Sequence, residues 1–219
     1  MICKRVPNRL KYYGRRKSTK KIGGIRIRIK ICGITRPEDA RTVDQAGADA
    51  IGVVLFSDSP RSVEPEQAAE IFRAAGPYMG RVCVSHTSSR SELEEILQLC
   101  PTAIQISNPH PMPSDRTVQV IRVIEPGMDL PTSVDTDALI VDTSQGKGKP
   151  YDPGFARSVM NKTTLPVILA GGLRTDNVAE AVRTLHPYAV DVASGVEISP
   201  GIKDPQKIRS FIQNARLQS

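Results

Sequence analysis

A cysteine and an aspartate end two predicted strands, and together they could form an acid–base pair. Residues 25–32 alternate between isoleucine and mostly basic residues, which is typical of a strand, and Cys32 ends the segment directly before Gly33. Asp142 ends a second strand-like segment, residues 138–142. Thiolates and carboxyl groups serve enzymes as bases and acids once burial and nearby charges adjust their proton affinity. We therefore interpret Cys32 as a candidate base and Asp142 as a candidate acid.

Each residue also has a plain structural interpretation. A buried cysteine is commonly inert, and an aspartate that follows a strand often caps the next helix. A useful base at Cys32 needs positive charge nearby, because the reference thiol pKa is about 8.5. Lys30 shares a strand face with Cys32 and, if buried, must be paired; Asp191 on the last predicted strand is the candidate partner.

Two glycine-containing lips predict a phosphate site. Gly171 and Gly172 directly follow the seventh predicted strand, and Ser194 and Gly195 directly follow the eighth. Backbone N–H groups can approach an anion closely at such positions, and in barrels the loops after strands seven and eight commonly bind phosphate. The alternative is that these glycines only make tight turns.

Other polar residues are weaker candidates. Arg61 lies in the polar loop 57–64, where it could hold a carboxylate or phosphate, or simply be a solvated surface side chain. Lys147 and Lys149 resemble a phosphate-contacting lid, although their spacing is not that of a Walker A loop. The three histidines, His86, His110 and His186, show no partner pattern and are predicted to be structural or exposed.

The elements that must position these residues alternate between strand and helix from Ile25 onward. Strands are predicted over residues 25–32, 50–56, 81–85, 103–106, 117–124, 138–142, 166–170 and 189–193. Eight such units predict a single α/β (β/α)8 TIM barrel, with a doubly wound open sheet as the alternative. Prolines 109, 111 and 113 predict that the helix after strand four is shortened, as does the Pro- and Gly-bearing segment 125–136 after strand five.

Three helix starts carry capping signals. Thr35 and Glu38 are spaced as a capping box with Pro37 in the first turn, and Ser89 with Glu92 repeats that spacing. Thr175 is predicted to cap the helix that runs to about His186.

The net charge of +7 is concentrated in one segment. Residues 1–24 hold nine of the 30 basic residues and no acid, so the remainder has 21 basic and 23 acidic residues. We expect residues 1–24 to be a basic, disordered extension and residues 25–219 to be the barrel domain. The near-neutral body makes nucleic-acid binding by the fold unlikely.

Composition and cysteine spacing argue against a membrane protein and against a metal-binding protein. No apolar segment approaches the roughly 20 residues of a membrane span. The four cysteines (Cys3, Cys32, Cys83, Cys100) form no C-x-x-C pair and have no histidine at ligand spacing, so we expect free thiols in a reducing cytoplasm and no metal site.

Six motifs in order resemble phosphoribosylanthranilate isomerase of tryptophan biosynthesis. They are Lys30–Thr35, Ser59–Val63, Leu139–Thr143, Gly146–Lys149, Leu169–Leu173 and Asp191–Glu197. The resemblance extends over roughly residues 26–217 and implies an Amadori rearrangement of N-(5-phosphoribosyl)anthranilate to the 1-deoxyribulose 5-phosphate product. It departs from the family pattern after strand four, where Ser107 replaces the usual histidine while Gln105 is kept.

The resemblance also implies roles for individual residues. Asp142 would protonate the furanose ring oxygen, Cys32 would remove the C2′ proton, and Arg61 would hold the anthranilate carboxylate. The amides around Gly171, Gly172, Ser194 and Gly195 would bind the phosphate. No cofactor or metal is implied. Candidate partners beyond the phosphorylated substrate are other tryptophan-pathway enzymes or a second copy of the chain, with no membrane.

Two alternatives stay open from the sequence. The histidine-pathway isomerase performs the same rearrangement on a two-phosphate ribonucleotide, but that family resembles a twofold-repeated barrel with an aspartate where this chain has Cys32. A non-catalytic phosphate-binding barrel, or a nucleic-acid protein that binds through the tail, is the second.

Overall fold

The chain forms a closed barrel of eight parallel strands. The computed structural model describes residues 26–108, 110, 116–131, 135–142 and 151–217. The strands pair in chain order from β1 to β8, and β1 closes the barrel by pairing with β8. This closure confirms the predicted TIM barrel and is incompatible with the doubly wound open sheet.

The bounds of the strands differ from the predicted ones by a few residues. The strands are β1 Arg28–Ile31, β2 Ala50–Val54, β3 Gly80–Ser85, β4 Ala103–Ile106, β5 Gln119–Ile124, β6 Ala138–Asp142, β7 Val167–Ala170 and β8 Ala189–Val192. Cys32 thus lies one residue beyond β1, and its N–H donates to the carbonyl oxygen of Val192 at 2.8 Å. That bond extends the pairing of β1 with β8 to Cys32.

Helices surround the barrel, and a small antiparallel pair precedes the last of them. The α-helices are α1 Pro37–Gln45, α2 Pro65–Ala74, α3 Arg90–Gln98, α4 Pro153–Lys162, α5 Val178–Leu185 and α6 Pro205–Arg216. After β8 come a 3₁₀ turn, Ser194–Val196, and two short strands, β9 Glu197–Ser199 and β10 Ile202–Lys203. Shortened helices were predicted after β4 and β5; within the described residues, no helix lies between β4 and β5 or between β5 and β6.

Strand parity divides the apolar side chains into two cores. Ile27, Ile29 and Ile31 belong to the larger core between the barrel and the helices. Cys32 belongs to the inner core, together with Val82, Val84 and other small residues of the barrel interior. Because alternate side chains of a strand point to opposite faces, the isoleucines fix the strand against the helices while Lys30 and Cys32 face the interior.

Two of the three predicted caps are wrong. α1 has Arg36 as its N-cap and no side-chain cap bond, because the Thr35 hydroxyl instead donates to the carbonyl oxygen of Gly201 at 2.6 Å. α5 begins after Asn177 rather than at Thr175, and its first turn also has no side-chain cap bond. The Ser89 cap of α3 is confirmed, since its hydroxyl accepts from the N–H of Glu92.

Several predictions fall outside the described residues. They concern the basic segment 1–24 and the lysines at 147 and 149, so the division into extension and barrel domain stays a prediction. Among the described residues, no helix is both long and apolar enough to cross a membrane.

Candidate active site

A cavity of about 530 Å³ opens at the carboxyl end of the barrel strands. It brings together six of the seven predicted site residues, namely Cys32, Arg61, Asp142, Gly171, Gly172 and Ser194. This size suits a small-molecule ligand, and the carboxyl end is where TIM barrels carry their active sites. The seventh residue, Gly195, is not among the residues that line the cavity.

Beneath the cavity lies a buried ion pair, which we call the floor cluster (Lys30, Asp191 and Gln105). Lys30 Nζ lies 2.9 Å from Asp191 Oδ1 and donates to Gln105 Oε1, also at 2.9 Å. Lys30 and Asp191 are neighbours in the β1–β8 register, and both are almost fully buried. The predicted pairing is therefore confirmed.

Gly52 on β2 makes room for the catalytic candidate. A Cβ at this position would lie 2.8 Å from Cys32 Sγ and 2.8 Å from Lys30 Cε. The sulfur and the end of the lysine therefore flank the same point, and any side chain at Gly52 would displace one of them. Gly52 lies in an ordinary apolar strand, so nothing in its sequence context marks it as important.

The pKa values of this cluster reflect burial and mutual charge. Burial raises the pKa of the Cys32 thiol above its ordinary value, and the ammonium of Lys30 only partly opposes the shift. Burial also raises the pKa of Asp191, against the pull of Lys30, and the charge of Asp142 adds to that rise. Burial thus favours the thiol of Cys32, and Lys30 is the main group that favours its thiolate.

A second network, the rim cluster (Arg61, Glu197 and Lys203), lies beside the mouth. Arg61 donates to both carboxylate oxygens of Glu197, from Nε at 2.9 Å and from Nη2 at 2.7 Å. Lys203, whose side chain is completely buried, donates to Glu197 Oε1 at 2.7 Å and to the Ala193 carbonyl oxygen at 3.3 Å. Burial works against ionisation of Glu197, but the hydrogen bonds from Arg61 and Lys203 lower its pKa overall.

Arg61 is consequently not a solvated surface residue. Its side chain is only 12% exposed and lines the cavity, and its stem lies where a side chain at Gly33 would be, because a Cβ there would come within 2.5 Å of Arg61 Cδ. Gly33 has a φ of 69°, which only glycine adopts readily. The turn at Gly33 therefore does two things: it directs the chain away from the barrel directly after Cys32, and it leaves room for the Arg61 side chain.

The glycine pair after β7 forms an open backbone lip. Gly171 and Gly172 have φ values of 88° and 60°, in the region that favours glycine. The side chain of Asn177 holds this turn by donating to the Gly172 carbonyl oxygen at 3.0 Å and accepting from the N–H of Arg174 at 2.7 Å. Both glycines line the cavity.

Gly195 is explained by packing. A Cβ at this position would lie 2.0 Å from the carbonyl oxygen of Leu173, so the 3₁₀ turn approaches the loop after β7 too closely for any side chain. The lips after β7 and β8 are therefore packed against each other, and Ser194 is the member of its pair that lines the cavity.

Sequence reasoning missed several lining residues. His86 and Glu125 lie at the ends of β3 and β5 and line the cavity, although His86 was expected only to be structural or exposed. Glu197 and Lys203 carried no signal beyond the motif that contains Glu197, because their partners are 136 and six residues away in sequence. The described residues contain no cluster of His, Cys, Asp and Glu that could hold a metal ion.

Comparisons with known proteins identify the family. The model of the family described as N-(5'phosphoribosyl)anthranilate (PRA) isomerase matches residues 29–214. The N-(5'-phosphoribosyl)anthranilate isomerase of Methanoregula boonei is 55% identical over 191 residues, which cover 87% of this chain and 97% of that protein.

Solved structures give the same result. Phosphoribosyl anthranilate isomerase from Thermus thermophilus superposes with a TM-score of 0.75 at 34% identity, over 86% of this chain and 98% of that one. A phosphoribosyl anthranilate isomerase in complex with reduced 1-(o-carboxyphenylamino)-1-deoxyribulose 5-phosphate has a TM-score of 0.70 at 31% identity, with 86% and 98% coverage. A structure of monomers generated from the dimeric enzyme of Thermotoga maritima has a TM-score of 0.72 at 30% identity, again with 86% and 98% coverage.

These matches decide between the alternatives that the sequence left open. The family match includes all eight barrel strands except Arg28, the first residue of β1. It therefore favours this family over the histidine-pathway isomerase and over a non-catalytic barrel. The chain belongs to the N-(5'-phosphoribosyl)anthranilate isomerase family and catalyses that isomerisation in tryptophan biosynthesis.

Proposed function

We propose that the rearrangement runs between Cys32 as general base and Asp142 as general acid. The observation that carries this assignment is that both residues line one cavity, from the ends of β1 and β6, with the glycine lip of β7 beside them. Two proton transfers of opposite direction are needed, and a carboxyl group and a thiolate in one cavity supply them.

Asp142 acts in the first step. Its carboxyl group gives a proton to the furanose ring oxygen, the C1′–O bond breaks, and the anthranilate nitrogen supplies the electron pair that forms the C=N bond of a protonated Schiff base. Asp142 continues the inward-facing row that contains Ile140, so its side chain is directed to the interior of the barrel mouth.

Cys32 acts in the second step. Its thiolate removes the C2′ proton, and the electrons of that C–H bond move to the iminium nitrogen, which gives an enolamine that tautomerises to the ketone. The iminium is the electron sink, so the step requires no cofactor. Lys30 stabilises the thiolate, which burial alone would disfavour.

The amides around Gly171, Gly172, Ser194 and Gly195 bind the phosphate of the substrate. Support comes from the positive φ values of the β7 glycines and from the packing of the two lips against each other. Backbone N–H groups at such lips are suited to a phosphate because they offer several donors without the entropy of long side chains.

Arg61 contacts the anthranilate carboxylate. Glu197 already engages its Nε and Nη2 atoms, whereas Nη1 makes no hydrogen bond within the described residues. The Glu197 pair fixes the plane of the guanidinium, so Arg61 would bind a carboxylate at a preset orientation.

The complex of the related isomerase with the reduced product supports the same ligand class here, a phosphorylated sugar bearing a carboxyphenylamino group. The dimer of the Thermotoga maritima relative makes a second copy of this chain the first partner to test. The free thiols of Cys32 and Cys83 support a reducing, cytoplasmic location, since the base chemistry of Cys32 requires a reduced sulfur.

Steady-state kinetics test the two proton-transfer roles. With the purified full chain, the fluorescence of N-(5-phosphoribosyl)anthranilate should decrease as it is consumed. Cys32→Ala and Asp142→Ala should each lower kcat by roughly 10²- to 10⁴-fold while changing KM less, because each removes one proton transfer.

Two matched variants control for general damage. Cys83→Ala removes a cysteine that packs in the outer core, where burial raises its pKa to about 12, and Asp176→Ala removes an exposed aspartate paired with Arg174. Both should keep kcat. Full activity in either Cys32→Ala or Asp142→Ala would overturn the assignment.

A further inference from the structure

His86 and Ser107 form a polar pair at the mouth of the barrel that the two proton transfers do not use. His86 Nδ1 lies 2.8 Å from Ser107 Oγ. His86 continues the inward-facing row of β3 after Val82 and Val84, and Ser107 continues that of β4 after Ala103 and Gln105. The pair is therefore a continuation of the barrel interior, one layer above the floor cluster.

Three side chains contact the backbone carbonyl oxygens next to this pair. Asn108 donates through Nδ2 to the carbonyl oxygen of His86. His110 Nε2 lies 2.8 Å from the carbonyl oxygen of Thr87. Arg122 on β5 in turn donates to the carbonyl oxygens of Asn108 at 2.7 Å and His110 at 3.1 Å. The lips after β3 and β4 are thus fixed to each other without a helix between β4 and β5 in the described residues.

The order of the strands gives the pair its place relative to the substrate. In a closed eight-stranded barrel, β3 and β4 lie opposite β7 and β8. A substrate whose phosphate lies at the β7 and β8 lips therefore directs its other end, the anthranilate ring, toward His86 and Ser107. This step rests on the phosphate placement proposed above.

The charges of the cavity leave few groups that could bind a carboxylate at the end of the cavity where the anthranilate ring would lie. Among the described residues that line it, Arg61 is the only permanent cation, and Glu125, Asp142 and Asp191 are carboxylates. The charge of Arg61 is largely offset by Glu197. His86 also lines the cavity, and it can donate to an anion from Nε2 because Ser107 engages Nδ1.

We propose that the imidazole of His86, oriented by Ser107, binds the carboxylate of the anthranilate ring and makes the enzyme prefer a carboxylated aryl amine over an uncarboxylated one. When the Ser107 hydroxyl donates to Nδ1, the neutral ring carries its proton on Nε2, and that N–H is the donor. His86 contributes to recognition and takes no part in either proton transfer.

Two stable inhibitors test this role. The first is reduced 1-(o-carboxyphenylamino)-1-deoxyribulose 5-phosphate, and the second is the same compound with phenylamino in place of carboxyphenylamino. His86→Ala should raise the Ki of the first about tenfold, as expected for a partly exposed hydrogen bond to a charged group, and change that of the second less than twofold. KM should rise in parallel with the first Ki, while kcat stays within about threefold.

Ser107→Ala tests the orienting role. It keeps the ring but removes the bond to Nδ1, so the same Ki should rise by roughly fivefold or less. The matched control is His186→Asn, which changes an exposed histidine at the C-cap of α5, where φ is 50° and asparagine is tolerated. His186→Asn should leave both Ki values unchanged.

The outcomes separate this inference from the proposed function. If neither compound inhibits the unmodified enzyme competitively, the proposed ligand placement fails. If both inhibit it but His86→Ala weakens them equally or not at all, the inference about His86 is wrong. Inorganic phosphate provides the last arm, because a raised Ki for phosphate in His86→Ala would place His86 at the phosphate end and overturn the inference.

Discussion

The floor cluster and the rim cluster are both buried groups of charge near Cys32, yet they are built differently. The floor cluster pairs one cation with one carboxylate and an amide, all from regular strands. The rim cluster places two cations on one carboxylate, from the loop after β2, from β9 and from β10. Both bring cations within electrostatic reach of Cys32, but the charge of Lys30 acts on the thiol more strongly than that of Lys203.

This difference separates two tasks. The floor cluster lies beside Cys32, so its charge should affect the protonation of the proposed base and hence kcat. The rim cluster holds Arg61 at the mouth and, through the bond from Lys203 to the Ala193 carbonyl oxygen, supports the turn that carries Ser194. It should therefore affect how substrate is held, and hence KM.

Removing the floor cation should have the larger effect. Lys30→Met should lower kcat/KM roughly 10- to 100-fold, because losing a nearby cation raises the pKa of Cys32 further and depletes its thiolate. It should also lower the free energy of unfolding by about 3–5 kcal/mol, since Asp191 is left buried without its counter-charge. Steady-state kinetics and urea unfolding measure the two effects.

The double variant Lys30→Met/Asp191→Leu separates stability from catalysis. Replacing both members of a buried ion pair by apolar side chains is often neutral for stability, so most of the lost unfolding free energy should return. Activity should not return with it. Recovery of kcat together with stability would show that the floor cluster is only structural.

Removing Arg61 from the rim cluster should affect KM. Arg61→Ala should raise KM roughly tenfold with a smaller change in kcat, because a charged hydrogen-bond donor to the substrate carboxylate is lost. Glu197→Gln keeps one oxygen that can accept a hydrogen bond from Arg61 and should raise KM only a few-fold. An unchanged KM in Arg61→Ala would contradict the proposed carboxylate contact and would leave Arg61 a purely structural partner of Glu197.

The smallest effect concerns the pH dependence of the thiol. The thiolate is the form that reacts with iodoacetamide, and burial raises the pKa of Cys32, so alkylation should be slow at neutral pH and increase through a midpoint above that of an ordinary cysteine. Lys30→Met should move that midpoint up clearly, and Lys203→Met should move it less. Peptide mass spectrometry distinguishes Cys32 from the other cysteines, and equal shifts in the two variants would break the distinction between the clusters.

Much of the fold and part of the site could be predicted from local pattern. Alternation of isoleucine with polar residues placed Lys30 and Cys32 on the inner face. Closure of the predicted barrel, which makes the last strand the neighbour of the first, predicted Asp191 as the partner of Lys30. Helix caps were less predictable. The hydroxyl of Thr35 is bonded to Gly201, 166 residues away, and no local propensity can anticipate that competition.

The rim cluster shows the same limit at the site itself. Arg61 was a plausible surface residue until Glu197 was found against it, and Lys203 gave no sign of being completely buried. Likewise, the pairing of His86 with Ser107 depends on two lips that are adjacent only because β3 and β4 pair in the sheet.

The sequence by itself determined the repeating strand–helix order, the inward positions of Cys32 and Asp142, and the glycine lips, because strand parity and turn chemistry are properties of neighbouring residues. Only the tertiary structure decided which of these side chains meet. Arg61 meets Glu197 at the mouth, its approach requires the absence of a side chain at Gly33, and the room at Gly52 sets the position of the sulfur. Such contacts depend on distances between strands and loops far apart in the chain, and steric exclusion and burial in three dimensions fix them.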